Sequence, residues 1–382
     1  MNSRSDVLII GGGVIGLAIA RGLHKKGGRN ITIIERGLIG REASWAAAGM
    51  LSPNVDADVG SDFHRFSRAS LELYPGFAAE LMDETGVDVE LDRAGTISLA
   101  ITDEERTALF AYVKNLRDAG CETEKLSAEE ILKVEPRVSR NVKAGAYFPD
   151  DWQVENRNLL VALEKYARSY GIEIIENTVI DELVVKGGRV TGARSEATEF
   201  YAENTVLATG AWTSLIKFGG HEAPLKIRPI RGQMIMFDCG DRPLEKVIYG
   251  PRGYLVPRRD GRILVGSTSE DCGFVNRVTG DGIDRLQSVA IEALPILAEH
   301  KIAALWSGLR PCPPDELPVI GTVEDYEQLF VATGHYRNGI LLAPLTAKIT
   351  ADALIADGHS EYLDTFSPNR FGGKIFRAPN VL

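Results

Sequence analysis

The sequence predicts an α/β plus α+β chain, in which a Rossmann-like unit is interleaved with a second, largely antiparallel β-sheet unit. Three observations predict it. The chain opens on a strand, a glycine turn and a helix-periodic stretch; strand-to-helix blocks with small residues at the junction return near positions 207 and 333; and the intervening segments read as strands joined by turns without helix alternation. With 382 residues, 44% of them hydrophobic and 25% charged, the chain can bury the core of two or three domains.

The opening stretch, DVLIIGGGVIGLAIARGLHKKG, places Gly11, Gly13 and Gly16 in a G-x-G-x-x-G pattern. Gly11 permits the tight turn, Gly13 lets backbone approach a pyrophosphate, and Gly16 lets the helix pack on the strand. Unpaired N–H groups and the positive dipole end at the helix start then face the phosphates. A second apolar strand over residues 31–34 ends in Glu35, whose carboxylate can accept from a ribose hydroxyl about 20 residues beyond the glycines. The acid favours an unphosphorylated ribose, FAD or NAD rather than NADP. Three consecutive glycines suit a turn rather than the apolar core of a signal peptide, and the run is shorter than the roughly 20 residues of a membrane span.

Next comes RGLIGREASWAAAGMLSP, where tiny side chains allow either a closely packed helix start or backbone lying directly on a flat cofactor ring. Residues 173–195 read as short strands with Lys186-Gly187-Gly188-Arg189 as a hairpin turn. They lead into AENTVLATGAWTS, an apolar strand ending in Ala208, Thr209 and Gly210. QLFVATGHYRNGILLAPLTAKITADALI repeats that arrangement, with Gly334 between strand and helix. One discontinuous cofactor unit is expected over residues 1–85, 146–225 and 315–382. GTISLAI, GQMIMFD, GYLVPRRDGRILVGST and KIAALWSGLRP form the other texture, assigning residues 86–145 and 226–314 to a substrate unit.

Composition excludes some functions. A formal charge of −10, with no dense basic stripe, disfavours nucleic acid as a partner. The four cysteines are scattered without a C-x-x-C pair, so neither a disulfide framework nor a metal site is expected, and a reducing cytoplasm is the natural compartment. No stretch suggests membrane association.

Taken together, SWAAAGMLSP, GYLVPRRDGRILVGST, WSGLRP followed by LPVIGT, and GHYRNGILLAP resemble the FAD-dependent amine oxidases of the D-amino-acid oxidase type, over residues 6–354. Within that family the resemblance is to the branch that oxidises glycine for thiamine-thiazole synthesis. It implies non-covalent FAD. Val14 and Ile15 would lie over the pyrophosphate, Glu35 and Arg36 at the adenosine ribose, and Ala43 and Ser44 further along the phosphates. Ala48, Gly49 and Met50 would lie against the flavin, and Val179 would touch the adenine half through its backbone. His335, Tyr336, Arg337, Asn338, Gly339, Ile340 and Leu341 match the segment running along the ring. Trp45 receives no role.

For substrate, the resemblance makes Arg310 the carboxylate-binding arginine, Tyr254 a tyrosine closing the site and Arg337 an arginine near the pocket. The plainer alternatives are a solvated turn arginine before Pro311 and a strand tyrosine packed in the core. An arginine at a helix N-terminus opposes the dipole and needs an anionic partner. Two departures stand out: Ser269 replaces a bulkier residue beside the substrate, and Cys312 lacks the spacing of relatives that attach flavin covalently.

The implied chemistry is led by the flavin, with no catalytic side chain: Arg310 holds the carboxylate, hydride passes from the α-carbon to the flavin, the imine hydrolyses, and O2 reoxidises the flavin to give H2O2. The expected substrate is glycine or another small amine or D-amino acid, and the expected assembly is a homo-oligomer. The alternatives are a quinone-linked D-amino-acid or sarcosine-type dehydrogenase and a noncatalytic flavin-binding subunit.

Overall fold

A computed structural model describes residues 5–55, 58–196, 198–356 and 358–372. Five parallel strands lie side by side in the order Tyr326–Thr333, Glu199–Leu207, Ser5–Ile10, Ile31–Ile34 and Glu173–Ile175. Residues 7–10 are buried, as a parallel strand covered on both faces requires. From Ser5–Ile10 the chain goes first to Ile31–Ile34 on one side and later to Glu199–Leu207 on the other. The carboxyl end of this central strand is therefore a topological switch point, where a crevice opens.

The helix Val14–Lys25 packs against this sheet and against Gly339–Ile355, and both belong to the same apolar core. Gly339–Ile355 buries eleven residues around its circumference, because Asp62–Thr85 covers another side of it. Ser70 Oγ donates to the Leu341 carbonyl at 2.7 Å, and Tyr74 donates to that of Ile340. These bonds fix the start of the helix Gly339–Ile355. Glu182–Lys186 and Arg189–Arg194 form the expected hairpin. Gly187 and Gly188 take φ of 58° and 80°, the left-handed pair that a two-residue turn needs to match strand twist.

A second sheet of eight strands runs Ile302–Cys312, Arg228–Asp238, Arg262–Gly266, Gly253–Pro257, Val247–Gly250, Thr96–Ala100, Ala144–Phe148 and Glu124–Ser127. Its neighbours are antiparallel, except that Val247–Gly250 runs parallel to Thr96–Ala100. It has its own core, where Ile97, Phe237, Leu255 and Ile263 meet Leu286 of the helix Gly280–Ala293. The parallel and antiparallel sheets bear out the expected α/β plus α+β class. Ala144–Phe148 belongs wholly to the second sheet and so carries residues on both sides of position 145.

All four cysteines are free, and among the described residues no cluster of histidine, cysteine, aspartate or glutamate is arranged to hold a metal. Among the same residues, no helix is long and apolar enough to cross a membrane.

Candidate functional site

A cavity of about 610 Å³ begins at the switch point and continues to the second sheet. Its size falls in the usual range for ligand and cofactor sites. The glycines build its first wall. Gly11, at φ 108°, lies so close to the Ala208 carbonyl that a Cβ would stand 2.3 Å from that oxygen. A Cβ on Gly16 would stand 1.9 Å from the Gly11 carbonyl. Gly16 is thus a packing residue outside the cavity wall, whereas Gly11, Gly13, Val14 and Ile15 line it. No side chain caps the helix at Gly13, although Ser44 Oγ accepts from Val14 N–H at 3.0 Å.

Glu35 is buried, and its two carboxylate oxygens accept from Gly12 N–H at 2.8 Å and Gly37 N–H at 2.9 Å. The acid therefore shapes the glycine turn as well as lining the cavity. Arg36 lays its guanidinium over Trp212 at 4.3 Å and pairs with Glu42 at 3.5 Å. Val179 is exposed and lines the same end, joined by Thr178, whose N–H donates to the Glu35 carbonyl at 2.9 Å. Ala208, Thr209 and Gly210 line the cavity where Glu199–Leu207 ends.

The small residues of 43–51 divide between close packing and the cavity wall. Ala43, Ser44, Ala48, Gly49 and Met50 face the cavity. Ala46 packs on Gly308, where a Cβ would come within 2.5 Å of it, and its carbonyl accepts from Trp306 Nε1 at 2.9 Å. Gly49, at φ 74°, lies against the Val154 carbonyl. Trp45 meets Trp306 edge-on at 5.9 Å, and Arg157 stacks over both rings.

A buried arginine absent from the sequence reading fastens this segment. Arg258 Nη2 donates to the Ala48 carbonyl at 2.8 Å and Nη1 to that of Val154 at 2.9 Å, with Glu155 at 3.3 Å as counter-ion. Burial lowers its pKa from the ordinary value, and Glu155 opposes that shift. Its signal was its place in GYLVPRRDGR, next to a proline in a strand pair, but no spacing rule identifies a residue that clamps a distant loop.

Arg310 lies half-buried on Ile302–Cys312, opposite Ile230. Its guanidinium occupies the space left by Gly232, where a Cβ would sit 2.3 Å from Nη1. Nη1 donates to the Thr268 carbonyl at 3.1 Å and Nη2 to Ser267 Oγ at 2.6 Å. Glu270 secures that turn: burial alone would raise its pKa, but hydrogen bonds from Arg231, Thr268 and Gln233 hold it down at about 2. Tyr254 stacks parallel to Tyr249 at 6.3 Å and donates to Met234 Sδ at 3.6 Å. Arg310, Tyr254, Arg337 and exposed Ser269 all line the cavity, as do Arg252 and Arg285, which the sequence reading passed over.

The last wall is the turn before the helix Gly339–Ile355. Gly334, at φ 69°, packs on Pro313, and His335, Tyr336, Asn338, Gly339 and Ile340 follow along the cavity. Leu341 does not reach it; that residue is 1% exposed in the core beneath. His335 is buried with Nε2 3.1 Å from Thr346 Oγ1, and burial lowers its pKa to about 3. The imidazole is neutral at working pH. No side chain caps the helix at Asn338, so its positive end opens on the cavity.

These residues fit a flavin dinucleotide. Two helix N-termini without side-chain caps and a buried acid beside the glycine turn share one cavity with Arg310. Comparisons with known proteins agree. A family model described as "DAO: FAD dependent oxidoreductase" matches residues 6–353. The glycine oxidase of Geobacillus kaustophilus is 37% identical over 379 residues, covering 98% of this chain and 99% of that protein. The bifunctional protein ThiO/ThiG of Synechocystis sp. is 36% identical over 377 residues, and the match spans 97% of this chain but only 55% of that longer protein. The crystal structure of the Geobacillus kaustophilus glycine oxidase superposes with a TM-score of 0.89 at 35% identity, covering 95% of this chain and 98% of that one.

Proposed function

The chain belongs to the DAO family of FAD-dependent oxidoreductases, and from that premise we propose that it catalyses the oxidative deamination of glycine or a comparably small amine or D-amino acid. The observation that carries this reading is the continuity of the cavity from Glu35 to Arg310, which joins a dinucleotide cradle to a carboxylate receptor. When bound, the flavin supplies a two-electron acceptor for the substrate hydride and passes those electrons to O2 as H2O2.

The chain's own residues orient and shield. Arg310 presents a planar fork to the carboxylate, held in aim by the Thr268 carbonyl and Ser267. Tyr254 and Tyr249 cover the same end, while the Ala and Gly backbone of 43–51 leaves room for a flat ring. Neutral His335 fixes the turn before the helix Gly339–Ile355 and is no proton carrier. The uncapped start of that helix favours negative charge in the cavity.

The remaining assignments extend this reading. Glu35, Arg36 and Val179 serve the adenosine half, Arg337 flanks the substrate, FAD is held without a covalent bond, and residues 86–148 with 226–314 form the substrate domain, the boundary at 145 moving to keep Ala144–Phe148 whole. The relatives that include ThiO/ThiG support a place in thiamine-thiazole synthesis. A cytoplasmic homo-oligomer completes the proposal. The test mixes purified holoprotein anaerobically with excess glycine and then admits air. Bleaching of oxidised flavin, followed by recovery with stoichiometric peroxide, is expected. A yellow protein that no small amine bleaches would overturn the reading, and bleaching without recovery in air would favour the quinone-linked dehydrogenase.

A further inference from the structure

The cavity is polarised in charge. Among its described lining residues the acids are Glu35, Glu42 and Asp181, all on the segments of the adenosine end. Arg36 is the one described lining cation beside them, whereas the segments of the second sheet and the turn before Gly339–Ile355 bring Arg252, Arg285, Arg310 and Arg337 to the cavity, on a chain whose formal charge is −10. Glycine offers one carboxylate, which a bidentate arginine already satisfies. With Arg337 also near the substrate, Arg252 and Arg285 add two guanidinium groups beyond what that substrate needs.

The fold brings them together. Arg252 is at the tip of the hairpin between Val247–Gly250 and Gly253–Pro257, two residues before Tyr254. That tip rests on the helix Gly280–Ala293, since a Cβ on Gly253 would meet Val289 at 3.0 Å. Arg285 precedes Val289 by four residues and so shares its helix face. Arg252 pairs with Glu292 on the same helix, whereas Arg285, exposed at the rim, makes no hydrogen bond or ion pair among the described residues.

We infer that the site takes an amine bearing a second carboxylate, with one carboxylate on Arg310 and the other on Arg285, assisted by Arg252. This inference rests on the amine-oxidase reading above. Exposed Ser269 leaves space on that side for the longer substrate.

Sarcosine and iminodiacetate test it, because they share the secondary amine and one acetate arm and differ by a single carboxylate. On the wild-type holoenzyme, kcat/KM from peroxide release should be about tenfold higher for iminodiacetate, mostly through KM, as one charge-assisted contact predicts. Added salt should narrow that ratio. R285Q should lower it about three- to tenfold, R285K should restore most of it, and the double variant R252Q/R285Q should bring it to one or below. Binding gives a second readout: diglycolate, which has an ether in place of the amine, should perturb the flavin spectrum at lower concentration than methoxyacetate, and less so in R285Q. A wild-type ratio at or below one, or a ratio unmoved in R285Q, would overturn the inference while leaving sarcosine oxidation intact. Failure of glycine, sarcosine and iminodiacetate alike to bleach the flavin would instead remove the reading beneath it.

Discussion

At the scale of single residues, the carboxylate receptor proposed here is Arg310. Its guanidinium is already aimed by Ser267 and the Thr268 carbonyl, with Gly232 leaving the space in which it lies. In that proposed role it needs little further ordering to meet a carboxylate. Arg310→Ala should remain yellow, since the residue stands away from the glycine turn, and its kcat/KM should fall about 10- to 150-fold, the worth of one or two charged hydrogen bonds. Steady-state peroxide assays check this; unchanged kinetics would remove Arg310 from the carboxylate role. Much at this scale was legible from residue type and motif. Arg310, Tyr254 and the three fingerprint glycines announce themselves by their setting. Arg285 and Arg252 do not, because only the packing of a hairpin tip on a helix brings them to the cavity. Arg258 is equally silent, being a buried clamp whose partners, Ala48, Val154 and Glu155, are about a hundred or more positions away.

At the scale of elements, the segment 43–51 depends on close approach as much as on open space. Gly49 combines φ 74° with a position from which a Cβ would stand 2.0 Å from the Val154 carbonyl. Gly49→Ala must therefore strain its backbone and push that segment off the Val154 and Arg258 anchors. The expected cost is about 1–3 kcal/mol of stability together with weaker flavin retention. Urea unfolding and the flavin-to-protein absorbance ratio would measure both; a variant as stable and as yellow as the wild type would refute the packing account. The βαβ start and the Gly187-Gly188 hairpin were readable because short-range rules govern them. Leu341 shows the limit: a motif match to residues 335–341 gives no information on which side of a helix start faces inward, and this residue faces the core.

At the scale of the whole molecule, the cavity wall draws on segments near positions 11, 35, 49, 179, 209, 254, 310 and 338. A ligand that touches all of them ties the two sheets together, so flavin removal should lower the melting temperature. At free flavin 100 times its Kd the linkage is worth about 2.7 kcal/mol. Scanning calorimetry on apo and reconstituted protein tests it, and equal transitions would show that the wall is rigid without its ligand. The class of fold was legible because strand and helix periodicities alternate differently in the two textures; the strand order was not, since pairing between residues two hundred apart leaves no local trace. That order has a consequence for synthesis. Ser5–Ile10 is made first, yet one of its two neighbours, Glu199–Leu207, ends at residue 207, and the next strand outward ends at 333. On a ribosome adding about 5–20 residues per second, the oldest strand waits roughly 10 to 40 s with one apolar edge open. The nascent chain is thus most exposed to mispairing, and most dependent on chaperones, long before its active site has been translated.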